Sequence, residues 1–157
     1  MTTRFFYLLP VAIIGILLIG RHMSRPDLKH FKPSEFGIWY PLMSSKQLTT
    51  LDAFRESWGY PVEVSKADGS LGRHGGGESQ HNVERWGEVR ATDVFPKVPD
   101  GKGGYRYMKT IEERQRAHRI ATQVGFTGIG IYTDTSPGNL LHVDTRESER
   151  VAQWSRV

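Results

Sequence analysis

Residues 125–145 read GFTGIGIYTDTSPGNLLHVDT. Two apolar, extended runs, 126–132 and 140–145, flank a segment of Thr, Asp, Ser, Pro and Gly that must be a loop. The first run carries glycines inside it. The second places His142 and Asp144 two residues apart, hence on one face of a strand. Helical signals lie elsewhere. Residues 44–58 start near a serine, set Leu48, Leu51, Phe54 and Trp58 at helical spacing, and stop at Gly59. Thr110 and Glu113 have capping-box spacing and open a helix with Ile111, Ile120, Ala121 and Val124 as its apolar stripe, ended by Gly125. Residues 61–65 (PVEVS) alternate as a short strand, and 66–77, with five glycines, form a loop. Residues 86–95 (WGEVRATDVF) contain a strand with Val89, Ala91 and Asp93 on one face, 96–104 (PKVPDGKGG) are a turn-rich excursion, and 148–154 are a short closing helix. The elements mix without a regular β-α-β rhythm. This predicts an α+β fold with a small, mainly antiparallel sheet flanked by helices.

The chain of 157 residues suggests one domain. There is no cysteine, which excludes a disulfide framework and any thiolate metal site. A metal here must be held by His, Asp or Glu. The net charge of +4 draws the protein toward polyanions, but Lys and Arg are scattered and not interleaved with aromatics, so no nucleic acid is expected as a partner.

Residues 5–20 (FFYLLPVAIIGILLIG) are sixteen uncharged residues. As a helix they extend about 24 Å, enough to enter a bilayer and, with Thr2 and Thr3 added and local thinning, to span it. The segment lacks a small-x-small cleavage site, so residues 1–22 are expected to be a retained transmembrane signal anchor, with the lipid bilayer contacted through 5–20. Residues 23–43, rich in Pro, Lys and His, read as a tether onto which Phe36, Ile38, Trp39 and Tyr40 pack. Residues 44–157 form the domain.

Of six histidines, His22, His30 and His118 read as solvated. His81 closes the glycine-rich loop before the strand that carries Asp93, and His142 lies on an apolar strand. Two imidazoles and a carboxylate, with the fourth position left to water, form a hydrolytic zinc pattern. The competing reading is an ordinary His142–Asp144 pair with His81 a loop residue.

SQH (79–81), the strand end Ala91-Thr92-Asp93, and His142-Val143-Asp144 on a late strand resemble the LAS-type zinc peptidases. The resemblance is to the D-Ala-D-Ala carboxypeptidase and L-Ala-D-Glu endopeptidase family, in its phage endolysin-like branch. It runs from about Pro61 to the C-terminus. It implies Zn2+ on His81, Asp93 and His142, and hydrolysis of amide bonds in peptidoglycan stem peptides, by endo- or carboxypeptidase action. With the anchor, it places the domain at the membrane, facing the periplasm or cell wall. The basic residues Arg21, Arg25, Lys29 and Lys32 after the apolar segment favour the opposite orientation.

Departures from the family pattern are specific. The first His of the family lies seven residues before the Asp; here the gap is twelve, and Trp86 occupies the expected place. His74 is a rival ligand from the same loop. Where many members carry an acid three residues before the last His, this chain has Asn139. The remaining candidates for a general base are Asp144 and Asp134, with Asp144 alternatively orienting His142. Arg73 is the candidate for an oxyanion or a substrate carboxylate. The long His–Asp gap and the missing acid also fit a non-catalytic cell-wall-binding or virion structural protein on the same scaffold.

Overall fold

The computed structural model describes residues 25–156. The expected anchor lies outside them; among the described residues, no helix is long and apolar enough to cross a membrane. The fold is α+β, a mixed sheet flanked by helices. In chain order the elements are α1 (Pro33–Phe36), a 3-10 helix (Gly37–Leu42), α2 (Ser45–Trp58), β1 (Val62–Val64), α3 (Val83–Trp86), β2 (Ala91–Pro99), β3 (Tyr105–Tyr107), α4 (Ile111–Val124), β4 (Gly128–Tyr132), β5 (Leu140–Asp144) and β6 (Ala152–Arg156). The sheet runs β1-β2-β5-β4-β6, with β3 on β2. Every pairing is antiparallel except β4 with β6.

Both long helices start and stop where their caps dictate. Ser44 Oγ accepts from the Gln47 amide (3.0 Å), and Gly59 takes the left-handed conformation at φ 77° that ends α2. Thr110 and Glu113 close the capping box of α4. Glu113 also binds Arg106 (2.5 Å), and that bond, ahead of the backbone amides of Lys109 and Thr110, holds its carboxyl at about 2 against the opposing effect of burial. A carboxylate depressed by folding stabilises above its unfolded value near 4.5 and ceases to as pH falls toward 2. Glu113→Gln is therefore expected to lower Tm at pH 7 by roughly 2–4 °C, with the difference closing on acidification; thermal melts of both proteins from pH 7 to pH 2.5 check this.

The sheet has two unlike faces. Thr92, Val94, Ile129, Leu141 and Val143 alternate toward the helices and meet Leu48, Leu51 and Phe54 of α2 and Ala117, Ile120 and Ala121 of α4. Gln47 of α2 reaches across, donating to Thr92 Oγ1 and to the Val143 carbonyl, both at 3.1 Å. The opposite face carries Ala91 and Asp93 of β2, His142 and Asp144 of β5, Gly128 and Gly130 of β4, and Trp154 of β6. The register sets Asp93 beside His142, Gly130 beside His142 and Trp154, and Gly128 beside Asp144.

Four expectations change. Residues 148–154 are not a helix: residues 152–156 are the parallel edge strand β6. A helix of seven residues does not repay its nucleation, whereas the free edge of β4 offers backbone partners and Gly130 leaves room for the Trp154 indole. A Cβ on Gly130 would come within 2.4 Å of that indole. The excursion expected at 96–104 is narrower, since β2 runs on to Pro99 and pairs with β1 and β3. Only the turn after it, pinned by Asp100 on the amides of Lys102 (2.7 Å) and Gly104 (2.9 Å), is irregular. The segment 25–43 is part of the packed body. Phe31, Phe36 and Met43 are buried in the same core, and Asp52 accepts the backbone amides of Lys29, His30 and Phe31 at 2.8–3.1 Å. Ile38, expected to pack, is 83% exposed.

Candidate metal centre

His81 from the loop before α3, Asp93 from β2 and His142 from β5 converge, each ligand atom within 4.8 Å of the others. His81 Nε2 lies 3.2 Å from His142 Nδ1 and 3.5 Å from Asp93 Oδ1, and His142 Nδ1 lies 2.8 Å from Asp93 Oδ1. Around a tetrahedral ion with bonds of about 2.0–2.1 Å, ligand atoms sit about 3.3 Å apart. The triangle has that size.

Tautomers follow from the other ring nitrogens. His81 Nδ1–H donates to the Leu71 carbonyl (2.5 Å), which turns the Nε2 lone pair inward. His142 Nε2–H donates to Asp144 Oδ2 (3.0 Å), which leaves Nδ1 facing Asp93 and His81. Three electron-rich atoms thus share one small space. A proton on His142 Nδ1 or a metal ion satisfies them, and nothing apolar does. Burial opposes charge on His142, but hydrogen bonds to Asp144 and Asp93 outweigh it and raise its pKa. Burial likewise works against the Asp93 carboxylate, and the adjoining His142 and His81 rings, as hydrogen-bond donors when protonated, hold it at about 2.

The twelve-residue gap between His81 and Asp93 is absorbed by one helical turn. Asn82 Oδ1 caps α3 on the amides of Glu84 (3.1 Å) and Arg85 (3.3 Å), and Gly87 ends it at φ 71°. Trp86, seven residues before Asp93, donates its indole N–H to the Ser79 carbonyl (2.8 Å) and braces the loop. His81 is then tied to the strand by Arg73 N–H to its carbonyl (3.0 Å) and by Arg90 N–H to the Gln80 carbonyl (2.9 Å). His74 is elsewhere: it pairs with Glu84 (3.3 Å) and stacks beside Trp39, with most of its side chain in solvent.

Asp144 has no exposed surface and no free lone pair directed at the cleft. Its oxygens accept from His142 Nε2, from Arg146 Nε (2.8 Å) and Nη2 (2.5 Å), and from the Arg146 amide (3.1 Å). It is a carboxylate behind a ligand imidazole, an arrangement that fixes the ring and raises its basicity. Gly128 makes the space for it: a Cβ there would lie 2.2 Å from Asp144 Oδ2. Gly128→Ala is expected to displace this carboxylate and weaken metal binding by roughly 10–100-fold, as measured by competition with a chromogenic chelator.

The other predicted residues divide. Arg73 lines the same cleft of about 400 Å3 as the three ligands, and its neighbour is the Ser79 hydroxyl (2.5 Å), not a carboxylate. Asp134 does not line the cleft; it is half-exposed and paired with Arg156 (3.0 Å). Asn139 is buried and structural, its side-chain amide donating to the Lys109 carbonyl (3.1 Å). Among the cleft residues not singled out from the sequence as functional, four stand out. Arg146 clamps Asp144. Trp154 packs its indole 5.1 Å from the His142 ring and donates to Tyr132 Oη (2.7 Å). Gln80, 8% exposed, has a carboxamide oxygen without a partner among the described residues. Asp68 adds a carboxylate to the cleft wall. Of the four, only Arg146 carries a local signal, its place two residues after Asp144.

The group can hold a metal ion. Comparison of the chain with protein-family models, curated proteins and solved structures gives no match, so the case for function rests on this geometry.

Proposed function

We propose that the chain is a zinc-dependent peptidase that hydrolyses peptide bonds in peptidoglycan stem peptides, held at a membrane by residues 5–20 with its domain toward the periplasm or cell wall. The observation that carries the reading is the His81–Asp93–His142 triangle in an open cleft, its two histidines buried and Asp93 partly exposed, with Asp144 behind His142. Two histidines and one carboxylate suit Zn2+, and leave a position open to solvent as hydrolytic sites do. Zinc, when bound, supplies Lewis acidity toward the scissile carbonyl and makes water a nucleophile near neutral pH.

The chain's own groups do the rest. His81, Asp93 and His142 hold the ion. Asp144, fixed by Arg146, keeps His142 in the tautomer whose Nδ1 faces the site. Arg73, paired with no carboxylate among the described residues, grips a carboxylate of the stem peptide or the developing oxyanion. Arg146 and Arg156 on the cleft wall add positive potential for an acidic peptide, though each already serves a carboxylate of the chain.

The test is to purify the full chain in detergent, measure zinc per chain, and digest purified peptidoglycan while following new amino groups by fluorescamine. One zinc and a steady release of amino groups are expected, with mass spectrometry of the products fixing the bond cut. A chain that binds peptidoglycan yet releases nothing at full zinc occupancy would instead be a non-catalytic cell-wall-binding protein.

A further inference from the structure

Hydrolysis of an amide needs a group that takes a proton from the attacking water and passes it to the leaving nitrogen. The two carboxylates suggested by sequence do not meet that need. Asp144 is sealed behind His142, and Asp134 is outside the cleft wall. We infer that Asp68 is this general base, an inference that rests on the peptidase reading above.

The placement of Asp68 is built, not incidental. It sits on an arch, residues 65–70, whose two feet are fastened to one residue of β2, the ligand Asp93. Ser65 N–H donates to the Asp93 carbonyl (2.9 Å), and Asp93 N–H donates to the Ser70 carbonyl (2.9 Å). The Ser65 and Ser70 hydroxyls bond to each other across the base of the arch (2.9 Å), and the Ser70 amide closes a turn on the Ala67 carbonyl (3.1 Å). The next residue, Leu71, supplies the carbonyl that orients His81. The segment that positions two of the three ligands thus carries Asp68 at its crown, where it is exposed and lines the cleft with His81, Asp93 and His142. Gly69 follows it at φ 77°. That left-handed turn reverses the chain and packs against the Arg73 side chain, where a Cβ would lie 3.5 Å from Arg73 Cδ. Base and cation therefore line the cleft of the three ligands from one loop.

The step balances without another reactant. An O–H bond of the attacking water breaks, its proton goes to the Asp68 carboxylate, and a C–O bond forms at the scissile carbonyl. The C–N bond then breaks as Asp68 returns the proton to the leaving amine. Asp68 is exposed and unburdened by structural bonds in the arch, so its replacement is expected to leave fold and metal intact.

The experiment compares the full-length wild type with Asp68→Asn, Asp68→Glu and Asp134→Asn, using the stem peptide L-Ala-γ-D-Glu-meso-diaminopimelate-D-Ala-D-Ala as probe. Zinc per chain, Tm and the affinity for the probe are measured alongside turnover. Asp68→Asn is expected to keep one zinc, a Tm within about 2 °C of wild type and unchanged probe affinity, while turnover falls roughly 10²–10⁴-fold. Asp68→Glu is expected to recover part of it. If Asp68→Asn retains more than about a tenth of wild-type turnover, or if Asp134→Asn causes the loss instead, Asp68 is not the base although the peptidase reading survives. If zinc-loaded wild type cuts neither the probe nor intact peptidoglycan, the peptidase reading falls and takes this inference with it.

Discussion

His142→Ala is expected to lose both the metal and the activity: less than about a tenth of a zinc per chain after dialysis, and turnover of stem peptides reduced by about 10³-fold or more. The size follows from what the imidazole does. Its Nδ1 is one of three ligand atoms, and its Nε2–H holds Asp144 at 3.0 Å. Removing it leaves a carboxylate and one imidazole, a pair that does not fix a tetrahedral ion. The protein should still fold, because the core face of the sheet, Val94, Ile129, Leu141 and Val143, points away from the site. Asp144 also keeps its clamp of three bonds from Arg146. Elemental analysis and a thermal melt read the two consequences separately. An alanine variant that kept its zinc would show that His142 does not hold the ion, and a wild type without zinc would show that the triangle is an ordinary proton-bridged His–carboxylate cluster.

Much of this site is legible in the sequence because its residues obey local rules. A period of two on β5 sets His142 and Asp144 on one face, and the same period puts Asp93 on the matching face of β2. Both long helices are readable from Ser44, Gly59, Thr110, Glu113 and Gly125, since capping is decided within a single turn of helix. What stays hidden depends on contacts distant in sequence. Strand β6 exists because the edge of β4 is open and Gly130 is small, and nothing in residues 148–154 announces a strand. The glycines of β4 read as weak points in a strand, yet their absent side chains are what admit Asp144 and Trp154. The gap from His81 to Asp93 looks like a defect in the linear pattern, and α3 takes up its length in the fold. Asp68 is invisible as chemistry because a loop with five glycines gives no direction to its side chains; direction comes from the hydrogen bonds to Asp93.

Asp144→Asn separates the two carboxylates most clearly, and its expected signature is the inverse of that for Asp68. The carboxamide keeps one oxygen for His142 Nε2–H or for Arg146, but presents an NH2 to the other, so a bond to a donor becomes a clash of donors. Arg146, one-third exposed, turns to solvent more easily than His142, whose ring is wedged against Trp154. Once Arg146 has turned away, nothing pins the carboxamide, and with its NH2 toward His142 it donates to Nε2 and selects the tautomer with Nδ1 protonated, the form that cannot bind an ion. Metal affinity is expected to fall roughly 10–100-fold. Turnover at saturating zinc should recover to within about tenfold of wild type, because the residue never touches the reacting atoms. Activity titrated against buffered free zinc shows the difference directly. A positioning role shifts the midpoint of that curve and largely spares its plateau. A base would lower the plateau and leave the midpoint alone, and that result for Asp144→Asn would move the proton-transfer role back behind His142.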